Sequence, residues 1–188
     1  MKENDIILTD QFEEAFDTLE NTSKNLFITG KAGTGKTTFL NHFRNNTKKK
    51  IVVVAPTGIA SINVRGQTIH SFFKFRPGFI ETSKIGPARK DLRKLYNKLD
   101  VLIIDEISMV RADLFDAIET FMRINGKSPG EPFGGCQICV IGDLVQLSPV
   151  LTENEKDVFY NKYETPFFFG ADCFNKKDFE FKEFTKIF

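Results

Sequence analysis

The chain has 188 residues, of which 41% are hydrophobic, enough for one domain with a substantial core. Its 26 basic and 25 acidic residues leave a formal charge of +1, so bulk charge gives no argument for a nucleic-acid partner. No stretch approaches the ~18 apolar residues of a membrane span and the start has no apolar signal region. We therefore expect a cytoplasmic protein without a membrane partner.

The first predicted element is an amphipathic helix over residues 11–19. Its apolar residues recur at helical spacing, and Asp10 and Glu13 are placed like a capping pair.

A phosphate-binding loop follows the first predicted strand. The apolar run Leu26–Thr29 leads directly into Gly30-Lys-Ala-Gly-Thr-Gly-Lys36-Thr37, which matches the P-loop pattern Gly-x4-Gly-Lys-Thr. The glycines allow successive N–H groups to surround phosphates, and the next helix presents its positive dipole end. We expect ATP to be held by Gly30, Ala32, Gly33, Thr34, Gly35, Lys36, Thr37 and Thr38. Lys36 would reach the β- and γ-phosphates, and Thr37 would ligate Mg²⁺. A flexible Gly/Thr loop is the alternative, but the order strand, loop, helix argues against it.

Three further apolar runs predict buried parallel strands: Ile51–Ala55, Val101–Ile104 and Gln137–Ile141. A crossover helix over residues 112–122 lies between the last two. This alternation predicts an α/β fold, a mostly parallel sheet with helices on both faces and a ligand crevice at the carboxyl ends of the strands. Residues 74–90, which are basic, and residues 125–135 interrupt the alternation and are expected at the surface.

Polar side chains follow the third and fourth of these strands. Asp105 and Glu106 come directly after Val101–Ile104. They are either two solvated acids or, with a P-loop upstream, a Mg²⁺ ligand (Asp105) and the group that polarises the attacking water (Glu106). Gln146 follows the turn after the fourth strand, where its amide can contact both a γ-phosphate oxygen and a water. A solvated surface glutamine is the alternative.

Hydroxyl groups mark two further segments, Ala55-Pro-Thr57-Gly58 and Thr68-Ile-His70-Ser71. At a strand end or a helix start they can either cap the helix or bind a phosphate. Taken alone, His70 is more typical of a structural hydrogen-bonding group than of a catalyst. Cys136 and Cys139 have the C-x2-C spacing of a zinc site, but a strand would place their side chains on opposite faces, so we expect no metal there.

Taken in order, these motifs resemble the first motor domain of the Pif-type DNA helicases, in the RecD-like 5′-to-3′ branch of superfamily 1. The matching segments are Gly-Lys-Ala-Gly-Thr-Gly-Lys36-Thr37, Ala-Pro-Thr57-Gly58-Ile-Ala, Thr68-Ile-His70-Ser71-Phe, Asp105-Glu106-Ile-Ser-Met109, and Pro-Phe133-Gly-Gly135 leading to Gly142-Asp143-Leu-Val-Gln146-Leu-Ser-Pro149-Val. The likeness covers nearly the whole chain, and residues 107–127 resemble the family's signature segment. Leu144, Val145 and Ser148 depart from it, since relatives often carry bulkier residues or proline there.

The resemblance implies a RecA-like P-loop NTPase fold and a monomeric ATP-dependent helicase acting on single-stranded or forked DNA. The resemblance assigns adenine recognition to Gln11, since an amide can pair with the N6/N7 edge of that base. The residues assigned to DNA are Thr57, Gly58, His70, Ser71 and Phe72. Phe72 and Phe73 are offered equally as stacking platforms or core residues. Residues 74–90 correspond to a small wedge element.

The resemblance also implies that residues 1–188 are one RecA-like domain, completed in cis by a second that supplies an arginine. An arginine finger contributes roughly 10³–10⁵ in rate. We therefore predict that this fragment binds Mg-ATP, hydrolyses it very slowly and unwinds nothing alone. A stand-alone regulatory ATP-binding module and a P-loop phosphotransferase are the alternatives, the second disfavoured by the Gly-Asp-x-x-Gln motif.

Overall fold

The computed structural model describes residues 9–188, which form a six-stranded sheet and seven α-helices. The strands lie in the order β3-β2-β4-β5-β1-β6, and each neighbouring pair is parallel. Their bounds are β1 (Asn25–Thr29), β2 (Ile51–Ala55), β3 (Gln67–Thr68), β4 (Val101–Ile104), β5 (Gln137–Ile141) and β6 (Phe179–Glu183). The predicted α/β fold with a mostly parallel sheet is confirmed.

The helices cover both faces of this sheet. They are α1 (Asp10–Asn21), α2 (Lys36–Asn46), α3 (Gly58–Asn63), α4 (Ile69–Phe73), α5 (Lys90–Tyr96), α6 (Ala112–Asn125) and α7 (Glu153–Tyr160). Alternate residues of β4 belong to two different apolar clusters. Leu102 and Ile104 pack with α4, α5 and α6, whereas Val101 and Ile103 pack with α1 and α2. Burial on both faces explains why these central strands have uninterrupted apolar sequences.

Two edge strands were not predicted from the sequence. β3 has only two residues, and β6 carries the charged residues Glu180, Lys182 and Glu183 among its five positions. An edge strand is partly exposed, so it lacks the apolar run that identified the central strands. The four predicted strands agree with the structure to within one residue.

The first helix begins differently from the expectation. Thr9, not Asp10, is the capping residue: its backbone is extended and its Oγ1 accepts a hydrogen bond from Phe12 N at 3.2 Å. Asp10 already has helical conformation, so the predicted Asp10–Glu13 capping pair is wrong. Both acids instead lie in the first turn, where they interact favourably with the helix dipole.

Cys136 and Cys139 pack in the two different apolar clusters, so their side chains lie on opposite faces as predicted. Among residues 9–188, no helix combines the length and apolar character needed to cross a bilayer.

Candidate functional site

The P-loop connects the carboxyl end of β1 to the first turn of α2, and its shape depends on glycine at two positions. Gly35 precedes α2 with a left-handed φ of 84°, and a Cβ there would lie 2.8 Å from the Phe12 ring. A Cβ on Gly30 would lie 2.5 Å from the carbonyl oxygen of Phe184. A side chain at either position would therefore displace the loop.

Lys36 lies within the turn of this loop. Its Nζ donates hydrogen bonds to the carbonyl oxygens of Gly30 at 2.6 Å and Lys31 at 3.1 Å. Thr34 is buried and its hydroxyl donates to the same Lys31 carbonyl at 2.8 Å. An ammonium group has three N–H donors, so Lys36 retains one for a phosphate oxygen without leaving the loop.

The loop residues differ in their exposure. Ala32, Gly33, Thr37 and Thr38 are exposed, whereas Gly35 and Lys36 are partly buried. Of these, Thr37 also lines the cavity at the carboxyl ends of the strands.

That cavity has a volume of about 400 Å³ and brings together five of the site residues predicted from the sequence. Its lining includes Thr37, Thr57, Asp105, Glu106 and Gln146. These residues are far apart in the chain, but each follows a strand or begins a helix at the same edge of a parallel sheet. This is the edge at which α/β folds bind ligands.

Asp105 and Glu106 are adjacent in sequence and both line the cavity. Asp105 is 9% exposed, and burial raises its pKa to about 6, with the Glu106 charge adding to the effect and Lys36 opposing it. Glu106 has a left-handed backbone with φ 53° and ψ 45°. Such a conformation is uncommon for a residue with a side chain and costs about 1–2 kcal/mol. Strain of this kind is concentrated at functional sites.

Gln146 is held by the turn that precedes it. Its backbone N donates to the Asp143 carbonyl at 3.0 Å, and its Nε2 donates to Asp143 Oδ2 at 3.2 Å. The other carboxylate oxygen accepts from Val145 N at 3.0 Å. Asp143 therefore orients the Gln146 side chain, a positioning role that sequence reasoning had not assigned.

Gln11 lies against the segment that leaves β6. Its Nε2 donates to the Glu183 carbonyl at 2.7 Å, and Thr185 N donates to its Oε1 at 3.1 Å. The amide thus pairs in a two-pronged way with peptide groups. Its Oε1 keeps one acceptor lone pair, and a Nε2–H makes only a 3.4 Å contact with Thr185 Oγ1. Adenine contact therefore stays a prediction, and it requires sharing the amide with this segment.

The groups assigned to DNA lie at the starts of two short helices. Thr57 caps α3 and its Oγ1 accepts from Ala60 N at 3.2 Å, which leaves the hydroxyl proton for another acceptor. Gly58 and Ser71 are exposed. A cavity of about 290 Å³ joins Thr57 to His70 and Arg111. Burial lowers the pKa of His70, with the Arg111 charge adding to the effect and Asp113 opposing it, which favours the neutral imidazole.

The assignment of Phe72 to DNA requires correction. The side chain is only 4% exposed, and its ring packs edge-on against Phe73 and Tyr96 at centroid distances of 4.8 and 5.3 Å. A ring enclosed in this way has no free face for a base. Of the two interpretations offered by the sequence, Phe72 and Phe73 are core residues.

Sequence reasoning missed Arg111, which joins three segments near this site. Its Nη1 donates to Glu155 Oε1 at 2.7 Å and its Nη2 to the Gly78 carbonyl at 3.2 Å. Nε and Nη2 also contact both oxygens of Asp113. The side chain is 13% exposed; burial opposes its charge, but Asp113 and Glu155 outweigh it and raise the pKa. The sequence signal available for Arg111 was its position immediately before a helix whose first turn contains an acid.

Comparison with known proteins identifies related sequences over most of the chain. A family model described as PIF1-like helicase matches residues 7–163. The chain is similar to an uncharacterised protein, 030L, of Invertebrate iridescent virus 6, with 38% identity over 71% of this chain and 27% of that protein. It is also similar to the ATP-dependent DNA helicase PIF1 of Emericella nidulans, with 38% identity over 68% of this chain and 18% of the helicase. The chain therefore spans about a quarter or less of these relatives.

Solved structures extend the similarity to the fold. Pif1 from Bacteroides bound to ssDNA superposes with a TM-score of 0.89 at 41% identity, covering 98% of this chain and 43% of that one. The Bacteroides Pif1 complex with ADP-AlF3 and ssDNA gives a TM-score of 0.90 at 41% identity, with the same coverage. These matches confirm the predicted RecA-like fold.

Proposed function

Because this chain belongs to the PIF1-like helicase family, we propose that it is the first motor domain of a 5′-to-3′ ATP-dependent DNA helicase. One observation carries this proposal: a single cavity is lined by Thr37 of the P-loop, the acids Asp105 and Glu106, and Gln146. These groups are the parts that phosphoryl transfer to water requires. Thr57, a candidate DNA contact, lines the same cavity, so the proposed ATP and DNA sites are adjacent.

Each group has a role that its chemistry fits. Lys36 contacts the β- and γ-phosphates, and Gln146, held by Asp143, contacts the γ-phosphate. Thr37 and Asp105 hold Mg²⁺, which fits a cation usually bound by one or two carboxylates together with substrate phosphates. The bound cation would neutralise charge that develops on the phosphates. Glu106 accepts a proton from the attacking water. Gln11 reads the adenine edge while holding Thr185.

DNA passes along Thr57, Gly58, His70 and Ser71. The neutral His70 acts there as a hydrogen-bonding group rather than as a cation. Residues 74–90 form the wedge element. The relative from Bacteroides was crystallised with both ADP-AlF3 and ssDNA, which supports the same pair of ligands here. The protein acts in the cytoplasm, associated with the nucleoid if its source is bacterial.

A second RecA-like domain in cis completes the motor, which acts as a monomer. Large apolar side chains beside the ATP cavity are exposed: Ile59 at 78% and Leu147 at 70% also line it, and Val145 is exposed at 94%. Large exposed apolar side chains grouped at one site are typical of an interaction surface. The second domain would cover these residues and add an arginine to a cavity whose lining, in the part of the chain that the structure describes, contains none.

The test is binding of a fluorescent oligothymidine to this 188-residue chain, measured by anisotropy in the presence of Mg-ATP. We expect weak binding that His70→Ala reduces severalfold. The control is His42→Ala, since the chain has two histidines and His42 lies on α2, outside the cavity of Thr57 and His70. A chain that binds Mg-ATP but no DNA would contradict the helicase proposal and favour a regulatory ATP-binding module.

A further inference from the structure

Residues 74–90, here called the strap, lead from α4 to α5 and are fixed to α6 at two points. Asp113 Oδ2 accepts a hydrogen bond from Ile80 N at 3.0 Å, and Asn125 Oδ1 accepts from Ala88 N at 2.7 Å. Both α6 side chains are fully buried. They are 12 residues apart, or about 18 Å along the helix at 1.5 Å per residue. The strap is therefore attached to α6 at two points and is not a free loop.

The strap covers a cavity of about 620 Å³ with mostly apolar walls. Five of its lining residues are aromatic: the buried core residues Phe73, Tyr96 and Phe121, and the strap residues Phe75 and Phe79. Phe75 and Phe79 belong to the strap and are partly exposed, so a ligand can reach them. The volume lies within the range of about 300–1,000 Å³ that small ligands or parts of larger ones occupy.

The strap is strongly basic in a chain that is almost neutral. It contains Lys74, Arg76, Lys84, Arg89 and Lys90 but only one acid, Glu81, giving a net charge of +4 against +1 for the whole chain. Lys84 pairs with Glu81, and Arg89 pairs with Asp91. Lys74 and Arg76 line the cavity, are exposed, and form no ion pair within residues 9–188. Their charge is available to an anion at the cavity opening.

The strap cavity also continues the proposed DNA surface. Pro77 and Ile80 line it on one side, and the same two residues line the smaller cavity that contains Thr57 and His70. The two cavities are therefore neighbours, and a strand lying on Thr57 and His70 passes beside the strap.

We propose that the strap cavity binds one unpaired nucleotide of the DNA substrate, with its base against the partly exposed rings of Phe75 and Phe79 and its phosphate at Lys74 and Arg76. This inference rests on the proposed function, because it takes DNA as the substrate. Base–aromatic stacking raises the affinity for single-stranded nucleic acid by about 5- to 150-fold per base. A neutral apolar peptide would fill the walls but leave both cations without a counter-charge.

The chemistry of the walls also predicts that this capture is independent of base identity. Tyr96 OH, the hydroxyl among the aromatic side chains, donates to the Phe72 carbonyl at 2.7 Å and so does not read a base edge. Stacking tolerates every base because each has a π face. The captured nucleotide would be defined by its distance from the fork junction and not by its sequence.

The experiment uses forked DNA that carries 2-aminopurine at successive unpaired positions beside the junction, with this chain in excess. We expect the probe's fluorescence to change at one position only. Leu92→Trp, which fills the cavity from α5, should abolish that change. Leu95→Trp is the matched control, because Leu95 lies on the same helix but is 47% exposed and outside the lining.

A second pair of variants leaves the cavity walls intact, so it remains informative if Leu92→Trp does not fold. Arg76→Glu should weaken fork affinity at least about fivefold more than Lys90→Glu, the same charge change in the strap but outside the lining. Equal weakening, or a position-specific signal that Leu92→Trp leaves unchanged, would overturn the proposal. Wild-type chain that binds no fork at all would instead refute the proposed function, and the inference with it.

Discussion

Arg111 and Asp113 form a two-pronged ion pair, with Nε 2.9 Å from Oδ1 and Nη2 2.7 Å from Oδ2. The Asp113 carboxylate is fully buried and also accepts the Ile80 N–H of the strap. The same guanidinium reaches Glu155 of α7 and the Gly78 carbonyl. One side chain thus connects α6, α7 and the strap.

Loss of Arg111 should leave the buried Asp113 charge without its partner. We predict that Arg111→Ala lowers the free energy of unfolding in urea by about 3 kcal/mol. Arg89 offers a matched control: it pairs with Asp91 at the same sequence spacing, but at the surface. Arg89→Ala should leave the unfolding midpoint unchanged. Equal midpoints for the two variants would show that the buried cluster does not stabilise the fold.

Glu155 makes stability depend on pH in a defined window. Burial acts to raise its pKa, but hydrogen bonds from Thr152 and Arg111 outweigh this and lower it from 4.5 to about 2. A depressed folded-state pKa adds stability that is present above pH 4.5 and is lost as the pH falls towards 2. The stability difference between wild type and Glu155→Gln should be constant above pH 4.5 and shrink below it.

The control for this titration is Glu153→Gln, since that side chain is 86% exposed on the same helix. Its difference from wild type should show no such window. A wild-type advantage over Glu155→Gln that persists undiminished at pH 2 would mean that the carboxylate charge is not the source.

Much of the fold and the site follows from local sequence. The P-loop, Asp105, Glu106 and Gln146 were predictable because short motifs follow strands buried on both faces, and a parallel sheet then brings strand ends together. Edge strand β6 was not, because it lacks a continuous apolar run and its alternation of phenylalanine with charged residues covers only five positions. The contact between Arg111 and Glu155 was not either, since it spans 44 residues. Phe72 shows a third limit: an apolar residue has the same sequence signal in a core or on a stacking surface.

The left-handed backbone at Glu106 predicts that glycine at this position gives a more stable protein than alanine. Glycine adopts this conformation without the steric cost that any Cβ incurs. Glu106→Gly should therefore be more stable than Glu106→Ala by about 1 kcal/mol, the lower end of that steric cost, measured by urea unfolding. If the alanine variant proves equally stable, the strain at this position is negligible.

The carboxylate of Glu106 has its own test in a longer chain that includes the proposed second motor domain. Glu106→Gln removes the proton acceptor but keeps the size of the side chain. We predict unchanged Mg-ATP affinity and abolished turnover, measured by calorimetry and phosphate release. Glu131→Gln, at an exposed loop position, should retain both. Normal turnover in Glu106→Gln would remove it from the role of base.

The central claim is that a triphosphate binds within the loop that surrounds the Lys36 ammonium. Calorimetric titration of this chain with Mg-ATP, comparing Lys36→Ala with Lys31→Ala, tests it most directly, because both lysines lie in the loop but only Lys36 donates into its turn. The account predicts binding by wild type and Lys31→Ala and at least about a tenfold loss in Lys36→Ala, or 1.4 kcal/mol. Equal affinity in all three proteins, or no binding by wild type, would contradict it.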